Sequence, residues 1–200
     1  GREIDQQAPP LPANIVTESG QVVFTRQELE TGRQVWQSFG GQQIGSIWGH
    51  GALMAPDWSA EWLHKEALAM LEERAQAQYG SSYEALGDDD KARLQTQLRP
   101  QLRANTYDPK ADALVLSPIR AEAVRRTARH FDDLFGDATA LDNLREQYAM
   151  TPNALPVAAD RKSLTGFFFW TSWAAAANRP GKEGLSYTSN WPHEPLVGNT

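Results

Sequence analysis

Residues 164–177 read LTGFFFWTSWAAAA, the longest apolar run in the chain. Phe167, Phe168, Phe169, Trp170 and Trp173 follow one another so closely that, on a helix, their rings point to every side. A helix that is apolar all round must be covered on all faces, either as the central helix of a core or by docking onto something else. The run falls short of the roughly 20 apolar residues that a membrane-crossing helix needs. It therefore predicts a helix over 161–177, capped by Asp160, around which a soluble helical core is built.

Helical signals lie on either side of this run. Thr25-Arg26-Gln27-Glu28 forms a capping box, in which the Thr hydroxyl and the Glu carboxylate each serve a free backbone N–H. Behind it Leu29, Gly32, Val35, Trp36 and Phe39 share one helical face, which Gly40-Gly41 ends. Asp57 or Ser59 caps a second helix over roughly 60–78, with Trp62, Leu63, Ala67, Met70 and Leu71. A polar helix over roughly 89–103 stacks Leu94, Leu98 and Leu102, with Pro100 set to kink or end it. Residues 105–107 and 113–116 flank the turn DPKAD and predict a small β-hairpin. Ser117-Pro118 opens a helix through Ile119, Val124, Phe131 and Leu134. A short helix over roughly 139–148 follows it. The tail after residue 177 is expected to be irregular, with Trp191 either pinned to the body or offered to a partner. The chain is mainly α, with five or six helices and one hairpin.

Composition narrows the chemistry. The 200 residues contain seven tryptophans and no cysteine, so disulfides, thiolate metal cages, cysteine nucleophiles and thioether-linked haem are all excluded. The net charge of −6 argues against a phosphate-binding surface. Residues 1–20 are polar and proline-rich and read as a solvated arm rather than a signal peptide. His50, Asp57 and His64, with His193 and Glu194 in reserve, could compose a metal site. Their spacing matches no standard zinc pattern, and they read instead as capping or surface polar residues. Asp88-Asp89-Asp90 lacks the alternating ligands of a calcium loop and reads as a helix cap. Gly49-His50-Gly51 does not stand between a strand and a helix, as a dinucleotide fingerprint must, and no GxSxG elbow is present. No residue is nominated as catalytic.

Two longer stretches carry a resemblance. GSIWGHGALMAPDWSAEWLHKEA at 45–67, and FFFWTSWAAAANRPG at 167–181 with SYTSNWPHEPLVGN at 186–199, closely resemble quinol-dependent, single-subunit nitric oxide reductases. The chain also resembles the cytochrome c subunit of the two-subunit reductases. Gly32 and Trp36 match a helix of that subunit, and residues 49–57 match its GEGAYxAPE loop. In this register the CxxCH haem motif falls on Gly41-Gln42-Gln43-Ile44-Gly45, with both cysteines and the proximal histidine replaced. Met150 falls where an axial methionine stands in that subunit, and here reads as core filler.

The resemblance implies a cytochrome c-like core without haem, carrying a helical insertion and a small hairpin. Its expected divisions are an arm at 1–20, a first core segment at 21–58, an insertion at 59–148, and a second core segment with tail at 149–200. It implies that large side chains among Trp36, Phe39, Trp48 and Phe167–Trp173 fill the former haem pocket, because an unfilled cavity of that size is not tolerated. The expected role is a structural cap on the periplasmic or extracytoplasmic face of the bacterial inner membrane. Its partner there is the transmembrane catalytic bundle of the same polypeptide, from which this chain would be a fragment, inactive alone. The whole enzyme would carry b-type haems, non-haem iron and calcium. The backbone carbonyls of Gly51 and Leu53 would contribute calcium contacts only in that setting, and the isolated fragment is expected to hold no metal. Trp170, Trp173, Trp191, His193 and Glu194 are the expected interface. No nucleic-acid partner and no bound haem c are expected. The competing reading is a free-standing binding module or a metal-dependent enzyme using His50, Asp57 and His64.

Overall fold

The computed structural model describes residues 8–38, 45–49 and 56–200. Two short strands, β1 (Asn14–Thr17) and β2 (Val22–Thr25), lead into helix α1 (Arg26–Ser38). The capping box forms as expected: Thr25 N–H donates to Glu28 Oε1 at 3.0 Å and Glu28 N–H to Thr25 Oγ1 at 3.2 Å. Helix α2 (Trp58–Tyr79) is capped by Asp57 and ends on Gly80 in the left-handed conformation that glycine adopts without steric cost. Helix α3 (Asp88–Arg103) passes through Pro100 instead of ending there, and closes three residues on; the proline forgoes one hydrogen bond of the ladder. The hairpin β3 (Tyr107–Asp108) and β4 (Ala113–Leu116) leads into α4 (Pro118–Phe135), where Ser117 Oγ caps Arg120 N–H. Expected helix 139–148 divides into a 3-10 turn, Thr139–Leu141, and a short α5 (Asp142–Gln147).

Helix α6 (Ala158–Ala176) starts before the expected cap. Val157 occupies the cap position without a side-chain bond, and Asp160 sits in the first turn, where its charge favours the positive helix end. The tail also differs from expectation. Asn178–Arg179 (β5) and Lys182–Ser186 (β6) form a second hairpin. Among the described residues no helix is long and apolar enough to cross a membrane.

The expectation of a solvated arm through residue 20 is corrected for its last part. Asn14–Thr17 pairs in parallel with β4 and antiparallel with β2, giving a sheet of order β2-β1-β4-β3. Ile15, fully buried, lies opposite Phe24 on one side and Leu114 on the other, so the sheet joins the chain start to residues about a hundred positions on.

Helix α6 is the axis of the molecule, as its all-round hydrophobicity requires. Gly32 brings α1 against it so closely that a Cβ there would lie 2.0 Å from the Ser163 carbonyl oxygen. Helices α2 and α4 cover other faces, so Trp62, Val124 and Phe131, from the expected insertion, share one cluster with Leu29, Phe168 and Phe169. Thr171 and Ser172 satisfy their buried hydroxyls on carbonyls one turn back, at Phe168 and Phe169. A second cluster between α2 and α3 contains Leu63, Met70, Leu94, Leu98 and Leu102, and takes in Val197 from the tail.

Candidate functional site

Trp58, the first residue of α2, stands at the centre of the aromatic core with no exposed surface. Its indole stacks on Phe168 (centroids 5.5 Å apart, 11° between planes) and meets the edges of Phe135 at 5.3 Å and Tyr148 at 5.7 Å. One turn on, Trp62 stacks on Phe131 at 5.5 Å. Gly45 lies against the Trp58 indole. A Cβ at Gly45 would fall 2.2 Å from Trp58 Nε1 and 2.7 Å from the Pro56 carbonyl oxygen, so position 45 has room for no side chain. The rings that fill this space come mostly from α2, α4 and α6. Trp36 and Trp48, expected to do so, are only half-buried, and Phe39 lies outside the described residues.

Asp57 holds this arrangement together. Its Oδ1 accepts from Ala60 N–H at 3.1 Å and from Ser59 Oγ. Its Oδ2 accepts from Ser46 Oγ at 2.8 Å and from Gly49 N–H at 2.5 Å. Backbone bonds Ser46 N–H to Pro56 O and Trp58 N–H to Ser46 O complete the seam. With four donors on two oxygens, Asp57 is a helix cap and a loop fastener. His64 is not with it: its Nδ1 lies 3.1 Å from Glu194 Oε2. His50, the third member of the expected metal trio, lies outside the described residues, as do Gly41, Ile44, Gly51 and Leu53. Among the described residues no three His, Asp or Glu side chains group as metal ligands.

The expected interface divides in two. Trp170 is half-buried, donates from Nε1 to Pro10 O at 2.8 Å and lies 5.7 Å from the Trp48 ring. Trp191 is 49% exposed, with its indole edge over Gly49 and His193 5.2 Å away. His193 is exposed, its Nδ1 3.0 Å from the Asn199 carbonyl oxygen. A cavity of about 430 Å³ opens among Pro9, Trp48, Tyr187 and Trp191. Trp173 and Glu194 do not belong to that surface, which corrects the expectation for both. Trp173 is 1% exposed and packs on Tyr187 at 5.5 Å because its turn of α6 faces the inside of the tail. Glu194 is 8% exposed, its carboxylate taken by His64 and by Leu196 N–H.

The family model for the cytochrome c-like domain of the NorB subunit of nitric oxide reductase matches residues 12–193. The chain belongs to this family. No curated protein matches it significantly. The match begins just before β1 and ends in the tail, so the mainly α architecture with its small sheet is the cytochrome c-like fold of the nitric oxide reductase family. In a cytochrome c, haem is attached through two cysteines and ligated by a neighbouring histidine. The residues of this nitric oxide reductase domain do not fit such a haem. The chain has no cysteine through which it could be attached.

Two features of this nitric oxide reductase domain escape sequence reading. Glu66 and Arg120 are buried, at 0% and 3% exposure, and pair at 2.9 Å beneath α6. Glu66 also accepts from Trp62 Nε1 at 3.0 Å, and the Arg120 guanidinium lies over the Phe169 ring at 5.6 Å. The signal available was Glu66 within the apolar stripe Trp62-Leu63-Ala67-Met70, where an acid needs a partner. The second is Tyr187, whose ring closes the space beside Trp173 and whose hydroxyl accepts from Asn105 Nδ2 at 2.8 Å. Burial raises its pKa above the ordinary phenol value. Burial, then the charge of Glu61, likewise raises that of Tyr148, which donates to Glu61 at 3.1 Å.

Proposed function

We propose that the chain is the haem-less, extracytoplasmic domain of a quinol-dependent nitric oxide reductase, serving as a structural cap over the membrane catalytic bundle of the same polypeptide. The enzyme converts two NO, two electrons and two protons into N₂O and water, using b-type haems and non-haem iron in the bundle. The observation that carries the reading is the collision a side chain at Gly45 would suffer with Trp58. At Gly45, where the resemblance implies the haem-ligating histidine, the neighbour is the Trp58 indole, which relays no electrons at ordinary biological potentials. A domain without a relay suits a donor such as quinol, which reaches its oxidant through the membrane and needs no soluble entry point. The remaining residues pack and fasten rather than react, in keeping with a fragment that is inactive alone. Trp170, Trp191 and His193 are the residues available to meet the bundle on its periplasmic face. The calcium contacts assigned to Gly51 and Leu53 belong to that junction.

A free-standing enzyme built on His50, Asp57 and His64 is less well supported, because Asp57 has already committed both oxygens and His64 faces Glu194. The deciding experiment uses the full-length polypeptide purified in detergent. Its pyridine haemochrome spectrum is expected to show b-type haem only, and its NO consumption to run on a reduced quinol. A c-type band, or turnover only with a soluble reduced cytochrome, overturns the proposal.

A further inference from the structure

A cleft of about 660 Å³ opens between the β3–β4 turn and the β5–β6 hairpin, at the edge of the aromatic core, and shares Tyr187 with the smaller cavity beside Trp191. Tyr107 and Tyr187 line it together with Arg179, Lys182 and Glu183. The arginine is held in place: Nε donates to Ser186 O at 2.6 Å and Nη2 to Ser189 Oγ at 2.8 Å, which leaves Nη1 uncommitted among the described residues. Lys182 forms no ion pair among the described residues. Two cations against one carboxylate leave the lining with a net positive charge, in a chain whose overall charge is −6. The Tyr187 hydroxyl accepts from Asn105 and keeps its own proton to donate, whereas that of Tyr107 is spent on Asp112 at 2.6 Å.

These groups form a graded site, with tyrosine rings along the walls and a fixed guanidinium and a free ammonium on one hairpin. We infer that the cleft binds a small organic monocarboxylate, its carboxylate between Arg179 and Lys182 and a flat apolar body against Tyr107 and Tyr187. A single surplus positive charge suits a monoanion better than a phosphate carrying nearly two charges. The uncommitted Nη1 of Arg179 and the Lys182 ammonium can each donate to one oxygen of a carboxylate, and ring walls favour a planar body over an inorganic ion.

The test is an NMR titration of the 200-residue chain with 2-naphthoate, alongside neutral 2-naphthamide and inorganic phosphate. Saturable shifts are expected at Tyr107, Tyr187 and the β5–β6 hairpin with naphthoate, and weaker binding of both controls. Lys182→Gln removes an exposed, unpaired charge that the fold does not need, and is expected to weaken binding about fivefold with the melting temperature unchanged. Glu183→Gln is expected to strengthen it about twofold by lifting a repulsion. Absence of saturation at about 10 mM overturns the inference. So does indifference to Lys182→Gln, or equal affinity for the amide or for phosphate.

Discussion

At the scale of single residues, the decisive contact is between a glycine and a tryptophan. Gly45→Ala places a methyl group 2.2 Å from the Trp58 indole nitrogen, with the Pro56 carbonyl closing the other side. Neither neighbour can withdraw easily, since Trp58 is wedged among Phe135, Tyr148 and Phe168 and Pro56 belongs to the Asp57 seam. The expected cost is about 2–3 kcal/mol in chemical denaturation, at the upper end for overpacking. Trp58→Ala should cost about 3–5 kcal/mol by leaving a void. Combining the two should cost less than the sum, because the new methyl enters the space the indole vacates. Strict additivity would show that the contact does not govern position 45. His130 gives a second prediction at this scale. Burial, with the charge of Lys65 adding to it, depresses its pKa from 6.5 to about 4. The unfolded chain therefore takes up a proton between pH 6.5 and 4 that the folded chain refuses, so stability falls as pH drops through that window. The ring is only partly buried, and screening by water limits the loss to about 1–2 kcal/mol. His130→Gln should remove that part of the pH dependence, measured as melting temperature from pH 7 to 4.

Between elements, Glu66 and Arg120 tie α2 to α4 beneath α6. Glu66→Gln keeps an acceptor for Trp62 but leaves the Arg120 charge buried without a counter-charge. This should cost about 3–5 kcal/mol, the penalty of an uncompensated buried ion. Adding Arg120→Met should restore most of it, since an apolar side chain suits the Phe169 face. No recovery in urea unfolding would mean that the pair matters for something other than charge. The helices themselves were legible because their signals are local. Thr25 with Glu28, Asp57, and Ser117 with Pro118 each specify an N-terminus within a few residues, and the apolar run at 164–177 declares a buried helix. What was not legible is non-local. Nothing near Asn14–Thr17 announces a parallel partner at Ala113–Leu116, and a polar, proline-flanked segment reads as a solvated arm until that partner is known. The site was only half legible. The resemblance implies a replaced histidine at Gly45, but the ring facing that glycine, Trp58, stands at a helix end beside its cap. There helical periodicity has no preceding turn from which to mark a residue as core.

For the molecule as a whole, the question is what the irregular tail contributes. Its most visible residue, Trp191, is 49% exposed, while the residues around it are fastened in sequence. Asn190 accepts from Arg103 Nη1 and from Ser186 N–H. Asn199, wholly buried, donates to Ala175 O and Pro192 O and accepts from Glu194 N–H. Val197 enters the core between α2 and α3. The tail therefore closes the C-terminal end of α6, whose last carbonyls have no partner within the helix. Removal of residues 191–200 should expose the Ala175 carbonyl and the void left by Val197, lowering stability by about 3 kcal/mol or more. Trp191→Ala should cost about 0.5–1 kcal/mol, because half of its surface already faces water. The contrast between the two is the informative measurement. A tail whose deletion matters while its exposed tryptophan does not is an internal fastener that presents an indole outward. Equal losses from both changes would make Trp191 itself the anchor and leave Trp170 and His193 as the residues with surface to offer a partner.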